Sequence, residues 1–258
     1  MLSAERHESI LRVLRNGQFA SVAEITELLQ CSEATIRRDL ARLESEGRLR
    51  RVRGGAERIE LPQDFQPQSM QLPFEYRKGI LLEKKRLIGR KAASLCTEGE
   101  TVIIDGGSTT FQMVEFLLET RLKIITNSFA IAEVLVKRSR NTVILNGGIV
   151  YPDSQMILDP FHDETFKNYP ATKVFMGAYG IDEMGATNAD TLLVIRTERA
   201  MIEQGKELII LVDSSKFNRR GNLFLCGFDK ISTIITDNGI SAEQREMVRS
   251  HGVELIVV

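Results

Sequence analysis

Arginine is concentrated where a helical pattern gives way to a glycine-tipped hairpin. Arg37, Arg38 and Arg42 follow Ser32 and Thr35 in a short helical stretch, and Arg51 and Arg53 come just ahead of Gly54-Gly55. Thr35, Arg38 and Arg42 share one face, with Arg37 on its flank. Arginines so placed can each donate two hydrogen bonds to guanine O6 and N7 or hold phosphates. From Ile36 to Arg58 there are eight arginines against four acids. No lysine precedes Lys78, so the donors are planar and bidentate rather than point charges. A second set of chemical residues lies downstream: Asp105, Gly106, Gly107, Ser108, Thr109 and Thr110, between an apolar run and a helical pattern. Two glycines let backbone amides converge, three hydroxyls add donors, and a helix N-terminus adds positive partial charge, a combination that cradles phosphate or carboxylate. The spacing is neither GxGxxG nor GK[ST], so a nucleotide is not indicated. Asn127, Gly147 and Lys216 close later apolar runs. Asp213 and Lys216 at one such end can orient and neutralise an anion, or pair with each other.

Elements that position these residues follow from periodicity. Ser21 and Glu24 have the spacing of a capping box, and Val22, Ile25, Leu28 and Leu29 recur as one helical face. Gln30-Cys31-Ser32 leaves room for a turn, with Ser32 capping the next helix. There Ile36, Leu40 and Leu43 must face inward. A first helix over 4–16, with Ile10, Leu11 and Leu14 inside, completes three helices; Gly47 stops the third, and Gly54-Gly55 permits a hairpin tip. The prediction is a winged helix-turn-helix domain over residues 1–59.

Residues 60–71 carry Pro62, Pro67 and three glutamines in 60–70 and read as a semi-stiff linker. Leu72–Lys78 shows no periodicity. Leu82–Leu95 reads as a helix whose charged residues, Glu83, Lys84, Lys85, Arg86, Arg90 and Lys91, form a solvated face. Apolar runs at Thr101–Asp105, Lys123–Thr126, Thr142–Leu145, Val174–Ala178, Glu207–Val212, Thr233–Thr236 and Glu254–Val258 suit strands covered on both faces. They alternate with helical stretches at 110–119, 129–138, 190–204 and 241–250. This predicts an α/β domain over 72–258 with a doubly wound, mostly parallel sheet, whose ligands bind beyond the carboxyl ends of the strands.

The 258 residues carry a formal charge of −1 with 43% apolar and 27% charged residues, so a nucleic-acid role rests on local charge, not the total. Three cysteines and three histidines are scattered, which suggests no disulfide frame, metal or other cofactor. No apolar run reaches the ~20 residues of a membrane span, and the N-terminus lacks a signal-peptide core. A cytoplasmic location without membrane partners is the expectation.

The stretch SEATIRRDLARLESEGRLRRVRGGA resembles the N-terminal signature of DeoR-family bacterial transcription regulators. IIDGGSTT, IITNS, VILNGG, GAYGID, LVDSSKF and IITD are similar to that family's effector-binding half, so the likeness spans nearly the whole chain. The resemblance implies a fold shared with ribose-5-phosphate isomerase and CoA-transferase relatives and the sensing of phosphorylated sugars. It places Gly106–Thr110 at the phosphate and Asn127, Gly147 and Lys216 around the remaining ligand, with Asp105 nearby. Two departures stand out. The family's first loop is close to DSGTT, where this chain has DGGSTT. The helix after GID usually carries acids before a Lys-Arg pair; here it reads VIRTERAM, with Glu198 in place of one acid. The Gly-Ser-Thr order is similar to that of regulators of ascorbate and related sugar-acid use.

Three functions compete. One is a regulator, expected to be a repressor of a carbohydrate-utilisation operon, that binds operator DNA as a dimer or tetramer under control of a phosphorylated sugar or sugar acid. The second is a sugar-phosphate isomerase-like enzyme with an appended DNA-binding module, using Asp213, Glu198 and Lys216 as base and polarising groups. The third is an architectural DNA binder, which has no use for a ligand site.

Overall fold

The computed structural model describes residues 3–45, 48–58, 72–160 and 164–258. The linker expected at 60–71 and the helix stop at Gly47 lie outside them. The chain divides into two compact units, a smaller N-terminal one that includes Glu75–Leu81 and a larger one that holds Leu82–Val258.

In the smaller unit, α1 (Ser3–Gly17), β1 (Phe19–Ser21), α2 (Val22–Leu29) and α3 (Glu33–Ser45) precede a hairpin of β2 (Leu49–Val52) and β3 (Gly55–Arg58). The sheet is antiparallel in the order β1-β3-β2. Ile10, Leu14, Ile25, Ile36, Leu40, Leu43 and Leu49 are buried together, as their helical spacing requires. The Ser21 hydroxyl accepts from the Glu24 amide at 3.1 Å, and the Glu24 carboxylate accepts from the Ser21 amide at 2.7 Å, closing the capping box. Gln30 ends α2 in the left-handed region at φ 47°. Strand β1 has no counterpart in the sequence reading, because three residues are too few for a period.

Residues 72–78 differ from their expected irregularity: α4 spans Phe74–Gly79. Pro73 stands just before it, where a missing N–H is tolerated, and Lys78 pairs with Glu75 at 2.5 Å. Residues 75–81, assigned from the sequence to the larger domain, group with the smaller unit.

The larger unit opens with α5 (Leu82–Ala93) and β4 (Thr101–Ile104). The helix expected at 110–119 is a 3-10 helix of seven residues, Thr110–Phe116. Then come β5 (Lys123–Thr126), α6 (Phe129–Arg138), β6 (Thr142–Leu145) and an antiparallel hairpin of β7 (Ile149–Tyr151) and β8 (Met156–Leu158). Next are α7 (Glu164–Lys167), β9 (Ala171–Met176), β10 (Gly180–Asp182), β11 (Gly185–Asn188), α8 (Leu192–Gln204), β12 (Gly205–Leu211) and β13 (Leu223–Cys226). The chain ends with β14 (Thr233–Thr236), α9 (Ala242–Ser250) and β15 (Glu254–Val257). Seven strands pair in parallel in the order β15-β14-β12-β9-β4-β5-β6. Alternate residues feed two apolar layers: Ile103, Ile125, Val174 and Ile210 join one, and Val102, Ile104, Ile124, Phe175 and Ile209 join the other. That is the doubly wound arrangement the continuous apolar runs predict. A separate antiparallel sheet, β10-β11-β13, was not foreseen.

The strand order fixes where a ligand can sit. After β4 the chain runs outward through β5 and β6, then returns to place β9 on the other side of β4. The order therefore reverses between β4 and β9, and a crevice opens at the carboxyl ends of such a pair.

Candidate DNA-binding face and effector site

The inward stripe of α3 leaves Arg37, Arg38 and Arg42 exposed, with Ser32 exposed and Thr35 half-buried at its start. The Ser32 hydroxyl lies 3.3 Å from the Thr35 amide as a loose cap and 2.9 Å from the Thr35 hydroxyl. Arg37 pairs with Glu33 at 3.2 Å, both side chains 58% exposed. A pair of this kind is worth about 0.3–0.5 kcal/mol, too little to withhold Arg37 from a phosphate. No ion pair or side-chain hydrogen bond holds Arg38 or Arg53 among the described residues. Arg51 differs. Its amide donates to the buried Glu44 carboxylate at 3.2 Å, and its guanidinium lies 3.8 Å from the same group, so one acid anchors the wing strand and draws that side chain toward it. Behind α3, buried Asp39 accepts from Arg6 (Nη2 at 3.1 Å, and Nε) and faces His7 at 3.0 Å. Burial alone would raise the Asp39 carboxyl, but the bonds to Arg6 and His7 hold it below the usual carboxylate range. This cluster ties α1 to the inner face of the arginine helix.

In the larger unit, Asp105–Thr110 occupies the carboxyl end of β4, at the reversal of strand order. Its polar groups are apportioned unequally. The Gly106 amide donates to Asn127 Oδ1 at 2.8 Å, and Asn127 Nδ2 donates to Asp105 Oδ1 at 3.2 Å. The Thr110 hydroxyl sits 2.6 Å from the Asp105 carbonyl and 2.7 Å from that of Gly107. Gly106, Asn127 and Thr110 thus shape the loop, and neither the Gly106 amide nor the Thr110 hydroxyl proton is left for a ligand. The amides of Gly107, Ser108 and Thr109 carry no hydrogen bond among the described residues. These three consecutive N–H groups are the loop's donors open to a ligand. A Cβ on Gly107 would stand 3.1 Å from the Thr110 hydroxyl and 3.4 Å from Asp105 Oδ2, which accounts for the absence of a side chain there.

Two lysines assigned from the sequence to a solvated face are instead turned toward the strand ends. Lys85, 4% exposed, brings Nζ to 3.1 Å from the Ser108 hydroxyl. Lys84 bonds Asp237 at 2.8 Å and Ser214 at 3.3 Å, linking the ends of β14 and β12. Burial pushes the Asp237 carboxyl up, yet Lys84 and the amides of Ser214 and Gly239 hold it below the usual range. Both lysines stand in the first turn of α5, where a cation opposes the helix dipole by about 0.3–1 kcal/mol. The sequence signal that could have found Lys85 is its register: with Ile88 and Ala92 it falls at i, i+3 and i+7, on the buried stripe. Gly89 makes the approach possible, since a Cβ there would lie 2.7 Å from the Gln112 carbonyl carbon in the 3-10 helix.

The remaining sequence-derived residues are dispersed. Gly177, just beyond β9, packs its Cα against Gly107. Two residues on, Tyr179 has Lys216 Nζ at 5.8 Å and the Arg219 guanidinium at 3.8 Å from its ring centre. Asp213 caps the turn that carries it, accepting from the Ser215 amide at 3.0 Å. Gly147 is exposed at the end of edge strand β6, and no contact brings it to the loop. Glu198 is buried on α8, where Asn188 donates to its two oxygens at 2.7 and 2.8 Å. Its carboxylate is a partner of Asn188 rather than an open base, and Asp213 is similarly engaged. The carboxylates an isomerase would need are thus used in structural bonds.

Residues 6–61 match the DeoR-like helix-turn-helix domain, and residues 81–238 match the DeoR C terminal sensor domain. The chain belongs to the DeoR family. It is a DNA-binding transcription regulator with a sensor domain. Among family relatives, the HTH-type transcriptional regulator UlaR of Shigella dysenteriae is 30% identical over all 258 residues and covers 100% of both chains. The uncharacterized HTH-type transcriptional regulator YulB of Bacillus subtilis is 28% identical, covering 100% of this chain and 98% of its own. Among solved structures, ribose 5-phosphate isomerase A from Methanocaldococcus jannaschii aligns with 52% of this chain and 53% of its own, at TM-score 0.35 and 17% identity. The eIF2B delta subunit from Chaetomium thermophilum aligns with 60% and 56%, at TM-score 0.43 and 17% identity. Among the described residues no helix is long and apolar enough to cross a membrane.

Proposed function

We propose that this DeoR-family regulator is a repressor of a carbohydrate-utilisation operon, and that a phosphorylated sugar or sugar acid bound at the strand ends sets its affinity for operator DNA. The observation that carries the reading is the run of open amides at Gly107, Ser108 and Thr109, at the reversal of strand order. Open backbone amides at a loop that leads into a helix can bind an anion without a metal. Asn127 holds the loop's shape, and Lys216 stands beyond the carboxyl end of β12, on the far side of β9. DNA is read by the face of α3 and by the wing, with Arg38 toward base edges and Arg53 toward phosphate. Calorimetric titration with a panel of phosphorylated sugars and sugar acids, each beside its uncharged counterpart, tests the effector. Equal affinity for charged and uncharged members would sink the reading. Operator binding measured by fluorescence anisotropy with and without the binding ligand tests the direction of control, and repression requires that ligand to release DNA.

The regulator acts as a homo-oligomer assembled through the larger unit. One small winged helix covers too little DNA for tight specific binding, whereas symmetric dimers read two half-sites. Phe129 and Val136 on α6, Leu145 on β6 and Ile149 and Val150 on β7 are all exposed, Val136 at 70%, and supply an apolar face for a second copy. Sedimentation should find the parent dimeric or tetrameric and Val136→Asp shifted toward monomer. A monomeric parent at micromolar concentration overturns this part.

A further inference from the structure

The carboxyl ends of β5 and β6 are covered. Hairpin β7–β8 lies across them, and its inner strand is buried throughout, with Met156, Ile157 and Leu158 at 4%, 5% and 2% exposure. Two asparagines hold that strand. The Ile157 amide donates to the Asn127 carbonyl at 2.7 Å, and Asn146 Nδ2 donates to the Ile157 carbonyl at 2.9 Å. The Phe129 amide donates to the Gln155 carbonyl at 2.9 Å, and the Phe74 amide to that of Asp153 at 2.7 Å, so the turn is tied down as well. Val194 of α8 packs on Met156 and Leu158. With both backbone groups of Ile157 engaged, the preceding side chain has a fixed origin. Met156 reaches the loop after β4: a Cβ on Gly106 would stand 3.1 Å from its Cγ and 3.3 Å from its Cε. The other side of the loop is different. A Cβ on Gly177, just beyond β9, would meet only the Gly107 Cα, at 4.0 Å, among the described residues.

We propose that Met156 is a specificity-determining residue, a wall that limits how bulky the effector is beside its anionic group. The inference rests on the sensor reading above and deepens it. An anion on the open amides of Gly107–Thr109 has two directions for the rest of its molecule, over β5 or over β9, because these strands flank β4. Met156 fills the first, and Gly177 leaves the second clear. The body of the ligand is thereby directed to the β9 side and kept slim where it leaves the loop. Methionine suits such a wall. Its unbranched, rotatable side chain fills an irregular gap closely, and the pinned backbone of β8 keeps the wall from retreating. The class selected is a phosphate ester on a primary carbon, in which a methylene separates the phosphate from the crowded part of the sugar or sugar acid.

The test uses the full chain and pairs of isomers equal in charge and composition: glucose 6-phosphate against glucose 1-phosphate, ribose 5-phosphate against ribose 1-phosphate, and gluconate 6-phosphate against gluconate 2-phosphate. In each pair only the second member carries phosphate directly on a crowded carbon. Calorimetric titration of the parent should find the first member of a bound pair preferred. Met156→Ala should narrow that preference by about 10-fold, the discrimination that a small change in the bulk a pocket accepts commonly brings. A merely structural Met156 would change both isomers alike and leave their ratio where it was. Met156→Val, a smaller truncation with a residue suited to a strand, should shift the ratio in the same direction and carries the test if circular dichroism finds Met156→Ala misfolded. A parent indifferent between isomers, or an unchanged ratio in the folded variant, overturns the assignment of Met156 while the sensor reading stands. A parent that binds no member of any pair overturns both.

Discussion

Two helices of this protein carry adjacent basic residues near their starts, and the structure uses them in opposite ways. Arg37-Arg38 on α3 stands in solvent, loosely paired or unpaired. Lys84-Lys85 on α5 is turned to the strand ends, with Lys85 buried on Ser108. The difference teaches what each kind of ligand asks of a cation. A DNA backbone is a dense polyanion, and neutralising it releases counterions, so many hydrated, mobile arginines suffice. A small molecule offers one anionic group, and a single contact counts only where water has been excluded. Exposure is thus a requirement at one site and a defect at the other.

The sharpest way to break the contrast is to disturb what lies behind the exposed arginines. Asp39→Ala leaves Arg6 and His7 without their shared buried acceptor and should cost about 2–3 kcal/mol of stability in the smaller unit, read as an earlier first transition in denaturant. Because the Asp39 carboxyl is held below its ordinary range, its contribution is full above that range. It is lost as pH falls through the lowered folded value. The melting difference between parent and variant should therefore vanish in strong acid and be constant near neutrality.

Next in size, Lys216→Ala should weaken effector binding by about 1.5–3 kcal/mol while operator affinity without effector survives. Equal effector affinity would remove Lys216 from the site and leave the loop as the whole receptor. Arg38→Ala should weaken specific operator binding by about 1–3 kcal/mol, with relaxed preference at one base pair. The smallest effect belongs to Arg53→Ala in the wing. All DNA sequences should weaken alike, and the slope of log affinity against log salt should fall by about one contact's worth. If Arg53→Ala instead changed sequence preference, the wing would be reading bases, and the division between helix and wing would need redrawing.

Much of this was legible in the sequence because it depends on local period. Ile36, Leu40 and Leu43 fix the face of α3 whatever surrounds it, and five of the seven parallel strands fall within a residue of their apolar runs at both ends. What escaped depends on long-range placement. Whether Lys85 is solvated or buried is decided by a 3-10 helix more than twenty residues later, and only its register with Ile88 and Ala92 hinted at it. The roles of Glu198 and Asn188 were hidden for the same reason: ten residues apart, at the end of β11 and on α8, their bond exists only once α8 has packed. Conversely, a row of strand-end turns was foreseen, and the sheet spreads its members over several strands. Gly147 follows a strand of the same sheet two places from the reversal.

Strand β1 gives the wing a character its glycines alone would not. A hairpin tipped by Gly54 at φ 86° would ordinarily swing. Here β3 is the middle strand, and Gly55 faces Ser21 so closely that a Cβ would lie 2.2 Å from the Ala20 carbonyl oxygen. The disorder of the hairpin is therefore surrendered when the domain folds, not when it meets DNA, and the entropic toll of docking is correspondingly smaller. Ser21 ends that strand and also caps α2, so the hairpin and the helical pair move as one piece. Arg51 and Arg53, on the proposed DNA-binding face, thus have backbone positions set in advance relative to Arg38.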